Sequence, residues 1–431
     1  MPPSRLERRV RLLLTHPLSE AVRRAAGEVP SHLVGGILRD RFLGLPSRDF
    51  DVAVERGGQV IAGRLAAALP ARLVRLGGEE FAAYRLVADA GVVDLWDREG
   101  AELASDLARR DFTVNALALA LAGGGVDGGL VDPCGGLPDL ASRTLRAATE
   151  KSLAADPLRV VRLARLVVQL PGFAADPATL ALASRSAAAV TAVASERIRE
   201  ELRLLLASDE AHRGVAMLHA VGLYPGLWLG TPGAASGGGA AGVAVRELEE
   251  LAAVLVALRS RLGAGVEIRP AVTRWAILFS ALPAAAPPER ALEGFREAGY
   301  LVRRTAGEVA SLLAHPTLPV GVVAQRRFLH ALGPLWPAAA ALLGARAAVT
   351  GERDRWAATV DGLVELAGRE GTALFDPPTL VDGREAQRIL GLPPGPEIGR
   401  ALARIREAQV EGRVGTREEA IALLRDSVER G

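Results

Sequence analysis

The stretch that most constrains this chain is LVGGILRDRFLGLPSRDFDVAV, Leu33 to Val54. An apolar run meets the pair Gly35-Gly36, a helical segment carries Arg39 and Asp40, and a turn from Gly44 to Ser47 leads into Asp49-Phe50-Asp51-Val52-Ala53-Val54. Side chains alternate along an extended strand, so Asp49 and Asp51 share one face while Phe50 and Val52 point into a core. Neighbouring carboxylates repel, and a divalent cation offsets that repulsion most simply. The glycine pair lets backbone N–H groups approach an anion at a helix start, with Arg39 about one turn further on. Taken singly, Gly-Gly fits an ordinary tight turn and Asp-x-Asp a solvated strand edge. Their joint spacing puts phosphate and metal side by side, the layout of a nucleotidyl-transfer site.

Composition narrows the class. At 431 residues, 49% of them hydrophobic, the chain has material for two to four units with sizeable cores, and its Ala/Leu/Arg texture with few aromatics favours helices. Net charge is only +2, yet Lys151 is the one lysine; arginine suits bidentate phosphate contacts, and the bias equally reflects genomic base composition. The lone Cys134 excludes an internal disulfide and a cysteine-based zinc site. No secretory leader and no uncharged apolar run of about 18 residues is present, so a cytoplasmic protein with no membrane partner is expected.

Residues 1–30 read as a helical lead-in, with Leu6, Val10, Leu13 and Leu14 at helical spacing. Short alternating stretches at 71–76, 81–87 and 91–96 read as strands of a small mixed sheet, and from Ser152 onward helical periodicity takes over. An α+β head followed by an all-α body and tail is the expected fold. The segment TPGAASGGGAAG, Thr231 to Gly242, reads as a flexible linker.

Three further stretches carry chemistry. Asp94 lies within the apolar run Val92 to Trp96, where an unpaired buried carboxylate costs several kcal/mol; it reads either as a third metal ligand or as a strand-edge acid facing water. In RRDFTVNALA, Arg109 to Ala118, Arg110 offers donors to phosphate and Asp111 an acceptor to sugar hydroxyls, and the same residues suit a helix start capped by Asp111 with Asn115 inside. In DPLRVVRLAR, Asp156 caps a helix with Pro157 in its first turn, and Arg159, Arg162 and Arg165 form a ridge that a solvated helix face would also explain.

These motifs, with LVDPCGGLPDL at 130–140, ERIREEL at 196–202 and the tail from Leu380, resemble the class II nucleotidyltransferases of the polymerase-β-like superfamily, which include bacterial tRNA CCA-adding enzymes and poly(A) polymerases. The resemblance spans about 31–206 and 378–425, with a divergent middle. It implies a small mixed-sheet polymerase-β-like nucleotidyltransferase head at 1–143, a helical base-reading and neck domain at 144–230, a helical body at 243–370 that is a degenerate relative of a His-Asp phosphohydrolase region, and an RNA-binding tail at 377–431. It further implies template-independent addition of C and/or A from CTP and ATP to the 3′ acceptor end of tRNA, with no obligate protein partner.

By the same resemblance Asp49, Asp51 and Asp94 bind two Mg2+ ions. Gly35, Gly36, Arg39, Asp40, Arg162 and Arg165 surround the phosphates, Arg110, Asp111 and Asn115 the sugar, and Asp156 with Arg159 the base. Cytosine and adenine both present an amino donor beside a ring-nitrogen acceptor, so one Asp/Arg pair selects them and rejects uracil and guanine. Arg400, Arg404 and Arg406 of the tail are available to an RNA backbone, and the helix around ERIREEL is expected to be structural.

Two departures stand out: Ala155 replaces the family's Glu that supports the reading arginine, and only a brief GAELAS connection at 100–105 stands where complete CCA-adding members carry a longer loop. Members with that loop cut down tend to stop after two cytidines. Trp275 to Leu282 holds no His-Asp pair and the six histidines form no ligand-spaced cluster, so no phosphohydrolase metal site is expected. A poly(A) polymerase and, from another class, a catalytically inactive RNA-binding descendant are the alternative readings.

Overall fold

The computed structural model describes residues 3–77, 82–98, 102–121, 129–224, 227, 239–263, 265–282 and 287–429. The chain folds as two compact units, Met1–Ala194 and Ser195–Gly431.

In the first unit the lead-in is two helices, α1 (Pro3–Leu14) and α2 (Pro17–Ala26). Pro17 cannot extend a preceding helix, and His16 Nδ1 accepts the Leu18 N–H to start the new one. A seven-stranded mixed sheet follows, built from β1 (Ser31–Val34), β2 (Asp49–Val54), β3 (Arg72–Leu76), β4 (Ala83–Ala88), β5 (Gly91–Asp97), β6 (Ala118–Ala120) and β7 (Leu130–Val131) in the order β3-β4-β5-β2-β1-β6-β7. Strands β2 and β5 are parallel, and every other neighbouring pair is antiparallel. Helix α3 (Gly36–Leu43) joins β1 to β2, and α4 (Gly58–Ala68) packs on β3, β4 and β5.

Register sorts the sheet into rows that alternate between faces. Phe50, Val93 and Leu86 are cross-strand neighbours, each at most 1% exposed, and Asp51, Asp94 and Arg85 form the next row. The first row is core, where burying one such side chain contributes roughly 1.5–3 kcal/mol; the second row emerges on the opposite face.

The C-terminal part of the head is held by buried and half-buried polar contacts. Asp132 accepts the N–H groups of Gly136 and Leu137 at 2.6 and 2.9 Å, starting α6 (Gly136–Ser142), and Asp139 accepts the Thr113 hydroxyl at 2.7 Å. A Cβ on Gly136 would lie 2.3 Å from the Thr113 carbonyl oxygen, so only glycine permits this approach. These contacts give the stretch 130–140 a structural role in the head. Between α5 (Leu103–Ala108) and β6, the helix expected after Asp111 is only a three-residue 3-10 turn, Thr113–Asn115. Asp111 is turned inward instead of capping a long helix.

Helix α7 (Ser152–Ala155) precedes α8 (Leu158–Gln169). The cap position of α8 is Pro157, and Asp156 acts from one residue earlier by accepting the Leu158 N–H at 3.3 Å. Beyond Ser152 the strand content among the described residues is the short Ala174–Ala175, paired with Thr144–Leu145.

The second unit is helical throughout its described residues. Residues 231–238 of the expected linker lie outside the described residues, whereas Gly239 to Gly242 begin the helix Gly239–Leu262. Alanine-rich sequence, with one glycine per turn at most, propagates a helix once neighbours bury it. Val322–Thr350 has the length and hydropathy of a membrane span, but 72% of its most apolar stretch is buried and Gly333-Pro334 interrupt it, as suits core helices. Trp275 to Leu282 falls on the buried helix Pro270–Ser280, in which Arg274 donates to the Leu206 and Ala207 carbonyls and pairs with Asp209. In the tail Ile398 and Ile405 are buried with Val381 and Leu424, and Leu402 packs beside them. Arg406 is tied to the Pro377 carbonyl and Asp376, and Arg400 pairs with Glu397 one turn away on its own helix.

Candidate active site

Strand β2 delivers Asp49 and Asp51 to one side of a cleft of about 450 Å³, lined also by Gly36, Arg39, Asp40, Arg85 and Asp94. Parallel pairing sets Asp51 opposite Asp94, and antiparallel pairing sets Asp94 opposite Arg85. Burial pushes the Asp51 carboxyl up to about 6; Arg110 opposes this, while Asp94 and Asp49 add to it. An acid crowded by two others and with raised affinity for a proton, as Asp51 is, also favours a cation, and an all-oxygen donor set suits a hard divalent ion such as Mg2+. The residues therefore fit the expected metal chemistry. Both oxygens of Asp94 are engaged by Arg85, whose Nε and Nη2 donate at 2.8 and 2.7 Å, and no group of three such ligands stands ready among the described residues. Arg85 supplies the positive charge in this arrangement.

Gly35 brings the β1–α3 turn against the acids. With φ +79°, it lies where a Cβ would fall 2.7 Å from Arg110 Nη1 and 2.9 Å from Asp51 Oδ2. The positive φ disfavours any side chain there, and a Cβ would push the Arg110 and Asp51 side chains aside. Arg110 also lies over the Trp96 ring, 5.5 Å from its centroid, and its buried Nε has no hydrogen-bond partner among the described residues.

A continuous network then links three distant segments. Arg39 is clamped by Asp40 at 2.7 Å and donates to Asn115 Oδ1 at 2.6 Å. Asn115 donates to Asp111 at 2.9 Å, and Arg162 donates to the other Asp111 oxygen at 3.3 Å. Burial alone would push the Asp111 carboxyl up, but Arg162, the Asn115 amide, the Phe112 N–H and Arg159 together hold it below the ordinary carboxylate range. Burial raises Asp40, against the pull of Arg39 and Arg165. Asp111, placed at the sugar from sequence, thus has inward-facing partners.

Arg159 finds the support that Ala155 does not provide. Its Nη1 donates to the Arg110 and Ser152 carbonyls at 3.0 Å each, and its Nη2 to the Arg109 carbonyl at 2.8 Å. Backbone acceptors replace the missing carboxylate, so the arginine is positioned without a charged partner at 155. Arg165 reaches along its own helix to Gln169 at 2.6 Å.

Sequence reasoning did not single out Arg85. The signal was present: Ala88 and Gly91 close a two-residue turn, and counting outward from it pairs position 85 with position 94.

Residues 31–146 match the Poly A polymerase head domain family, and residues 172–232 match the family described as a probable RNA and SrmB-binding site of polymerase A. The chain is 32% identical to a CC-adding tRNA nucleotidyltransferase of Geobacter sulfurreducens over 97% of both chains. It is 32% identical to an A-adding tRNA nucleotidyltransferase of Deinococcus radiodurans, covering 91% of this chain and 94% of that one, and 35% identical to a CC-adding enzyme of Thermus thermophilus over 91% and 92%. The fold is similar to that of the Bacillus stearothermophilus CCA-adding enzyme in complex with CTP, with TM-score 0.69, 24% identity and coverage of 100% and 99%. By sequence and by fold, the chain belongs to the tRNA nucleotidyltransferase family of CC-adding and A-adding enzymes.

Proposed function

We propose that this chain adds C and/or A to the 3′ end of tRNA without a template, with addition of cytidine from CTP as its main reaction. The observation that carries the reading is the row Asp51–Asp94 with Asp49 beside it, joined by Gly35, Arg110 and the Arg39–Asn115–Asp111–Arg162 network to the arginine ridge of α8. Asp49, Asp51 and Asp94 would hold two Mg2+ ions, which when bound neutralise triphosphate charge and acidify the attacking hydroxyl. The Gly35-Gly36 turn at the start of α3, with Arg39, holds the triphosphate. Arg110 and Asp111 orient the sugar and its phosphate, supported by Asn115, and Arg162 and Arg165 extend the positive wall. Asp156 and Arg159 read the base at the head of α8, with Arg159 held in place by the Arg109, Arg110 and Ser152 carbonyls. The pyrophosphate leaves as the bond from the α-phosphorus to the 3′ oxygen forms.

The short connection at 100–105, of which Gly100 and Ala101 lie outside the described residues, and the two CC-adding relatives support cytidine addition. The Deinococcus A-adding relative, equally similar to the chain as the Geobacter enzyme, supports A addition as the second reading. We assign catalysis to 1–143, base reading to 144–230, and RNA contacts of the tail to Arg400 and Arg404, with the protein placed in the cytoplasm where its tRNA acceptors are. The test is incubation of purified protein and Mg2+ with tRNA transcripts ending before CCA, after C and after CC, each with one labelled nucleotide. Incorporation of C on the first two ends supports the main reading. A added only to the CC end makes this an A-adding enzyme, and long A tails on unrelated RNA make it a poly(A) polymerase.

A further inference from the structure

Phosphoryl transfer proceeds with attacking and leaving oxygens roughly in line. If the triphosphate lies at the Gly35-Gly36 turn and Arg39, on the β1–α3 side of the acids, the acceptor must enter from the β5–β4 side. On that side the sheet's site face continues beyond the acids into exposed residues. The row Asp51–Asp94–Arg85 runs on to Val74 of β3, and the row Asp49–Val92–Val87 ends at Arg72. Val87 is 46% exposed, the Arg85 side chain 48% and Arg72 is exposed, whereas Leu86 and Tyr84 on the other face are buried.

We propose that this β3–β4 extension of the sheet seats the 3′-terminal nucleotide of the acceptor strand. Arg85 takes the phosphate that precedes the terminal sugar, Val87 lies beneath the sugar and base, and Arg72 meets the next phosphate at the sheet edge. Charge supports an RNA occupant, because the arginines flank an apolar floor continuous with the catalytic acids. The pair with Asp94 uses Nε and Nη2 of Arg85, and Nη1 is the donor that remains for a phosphate oxygen. Before RNA arrives, Asp94 neutralises Arg85 and holds it in register. This seat rests on the nucleotidyltransferase reading above and adds to it which strand of the sheet the acceptor occupies.

The test uses the full chain and a tRNA transcript ending before CCA. Binding is followed by fluorescence anisotropy in chelator at several salt concentrations, and CTP binding is measured separately by equilibrium dialysis. Arg85→Gln should weaken tRNA binding about 3- to 10-fold and reduce the slope of log K against log salt by about 0.7–0.9, one phosphate contact, with CTP affinity unchanged. Val87→Glu, which leaves the Asp94 pair intact, should likewise weaken tRNA and spare CTP, and Arg85→Lys should restore most of the tRNA affinity. Unchanged tRNA affinity in both Arg85→Gln and Val87→Glu, or a loss confined to CTP, overturns the seat while wild-type extension of tRNA leaves the enzyme reading intact. Failure of the wild-type protein to bind or extend any tRNA end overturns both.

Discussion

Two sets of arginines divide the molecule. Those of the site reach far along the chain: Arg39 to Asn115 across 76 residues, Arg162 to Asp111 across 51, and Arg159 to the Arg110 carbonyl across 49. On the helices of the second unit, Arg203 with Glu200, Arg296 with Glu293, Arg355 with Glu352 and Arg400 with Glu397 form pairs three residues apart, whereas Arg274 to Asp209, Arg346 to Glu247 and Arg353 to Glu250 reach across 65, 99 and 103 residues as the site arginines do. A solvated pair one turn apart contributes a few tenths of a kcal/mol and positions nothing. A half-buried donor shared between remote segments fixes their relative placement, because displacing either leaves a polar group unsatisfied. The same residue type is thus a surface ornament where it pairs one turn away and a locating device where it reaches a remote segment.

The largest effect that sharpens this comparison should come from Gly35→Ala. The added methyl meets both Arg110 and Asp51, so kcat/KM for nucleotide incorporation should fall by about 100-fold or more, a loss of about 3 kcal/mol of transition-state stabilisation. Gly57→Ala is the control, with φ +75° but nothing within 4 Å of the new atom; it should lower thermal stability by about 1 kcal/mol and spare incorporation. Equal activity losses in the two variants would break the argument for the crowded glycine turn.

Arg159→Met comes next. It strips a donor from the Arg109, Arg110 and Ser152 carbonyls, and incorporation should fall roughly 10- to 100-fold with weakened discrimination between CTP and UTP. Arg274→Met makes the contrast: that arginine is 3% exposed and serves the Leu206 and Ala207 carbonyls. It should cost about 1–3 kcal/mol in thermal unfolding yet leave base discrimination unchanged.

A pH series separates the acids from their surroundings. The Asp51 carboxyl stands at about 6, above the ordinary carboxylate range, because burial and then Asp94 and Asp49 disfavour its charge. The fold therefore favours the protonated form. For the metal-free protein this contribution is fully present below about pH 4 and is lost as pH rises through about 6. In chelator, Asp51→Asn should melt above wild type near pH 7.5, by up to about 3 kcal/mol, and the gap should close by about pH 4. A gap independent of pH would show that the carboxyl titrates normally. At the bottom of the scale, Arg203→Ala and Arg355→Ala should each change stability by about 0.5 kcal/mol or less, as read from urea midpoints.

What was legible in the sequence was local. Alternation in Asp49 to Val54, the glycine turn before Arg39 and the three-residue spacing in α8 each lie within a few residues, and the strands and helices form where those periods place them. The residues expected on the nucleotide side were read from the same local spacing. The break at His16–Pro17, inside the helical lead-in, is also written locally, in a proline that starts a new helix. Partner choice was not legible, since nothing near Ala155 says that carbonyls of residues 109, 110 and 152 will hold Arg159. Such contacts depend on the sheet order and on the placement of the Thr113–Asn115 turn, which are settled by tertiary packing. Arg85 was the intermediate case, readable only after a two-residue turn is committed to and its register counted outward.

The central claim is that the carboxylates of β2 run the chemistry while RNA is held elsewhere. One experiment tests it directly: Asp51→Asn and wild type compared on the same tRNA lacking CCA, with labelled CTP incorporation and tRNA binding measured in parallel. Incorporation should drop by about 1,000-fold or more, with tRNA affinity within about 2-fold of wild type. Incorporation that survives the substitution would contradict the assignment of the site.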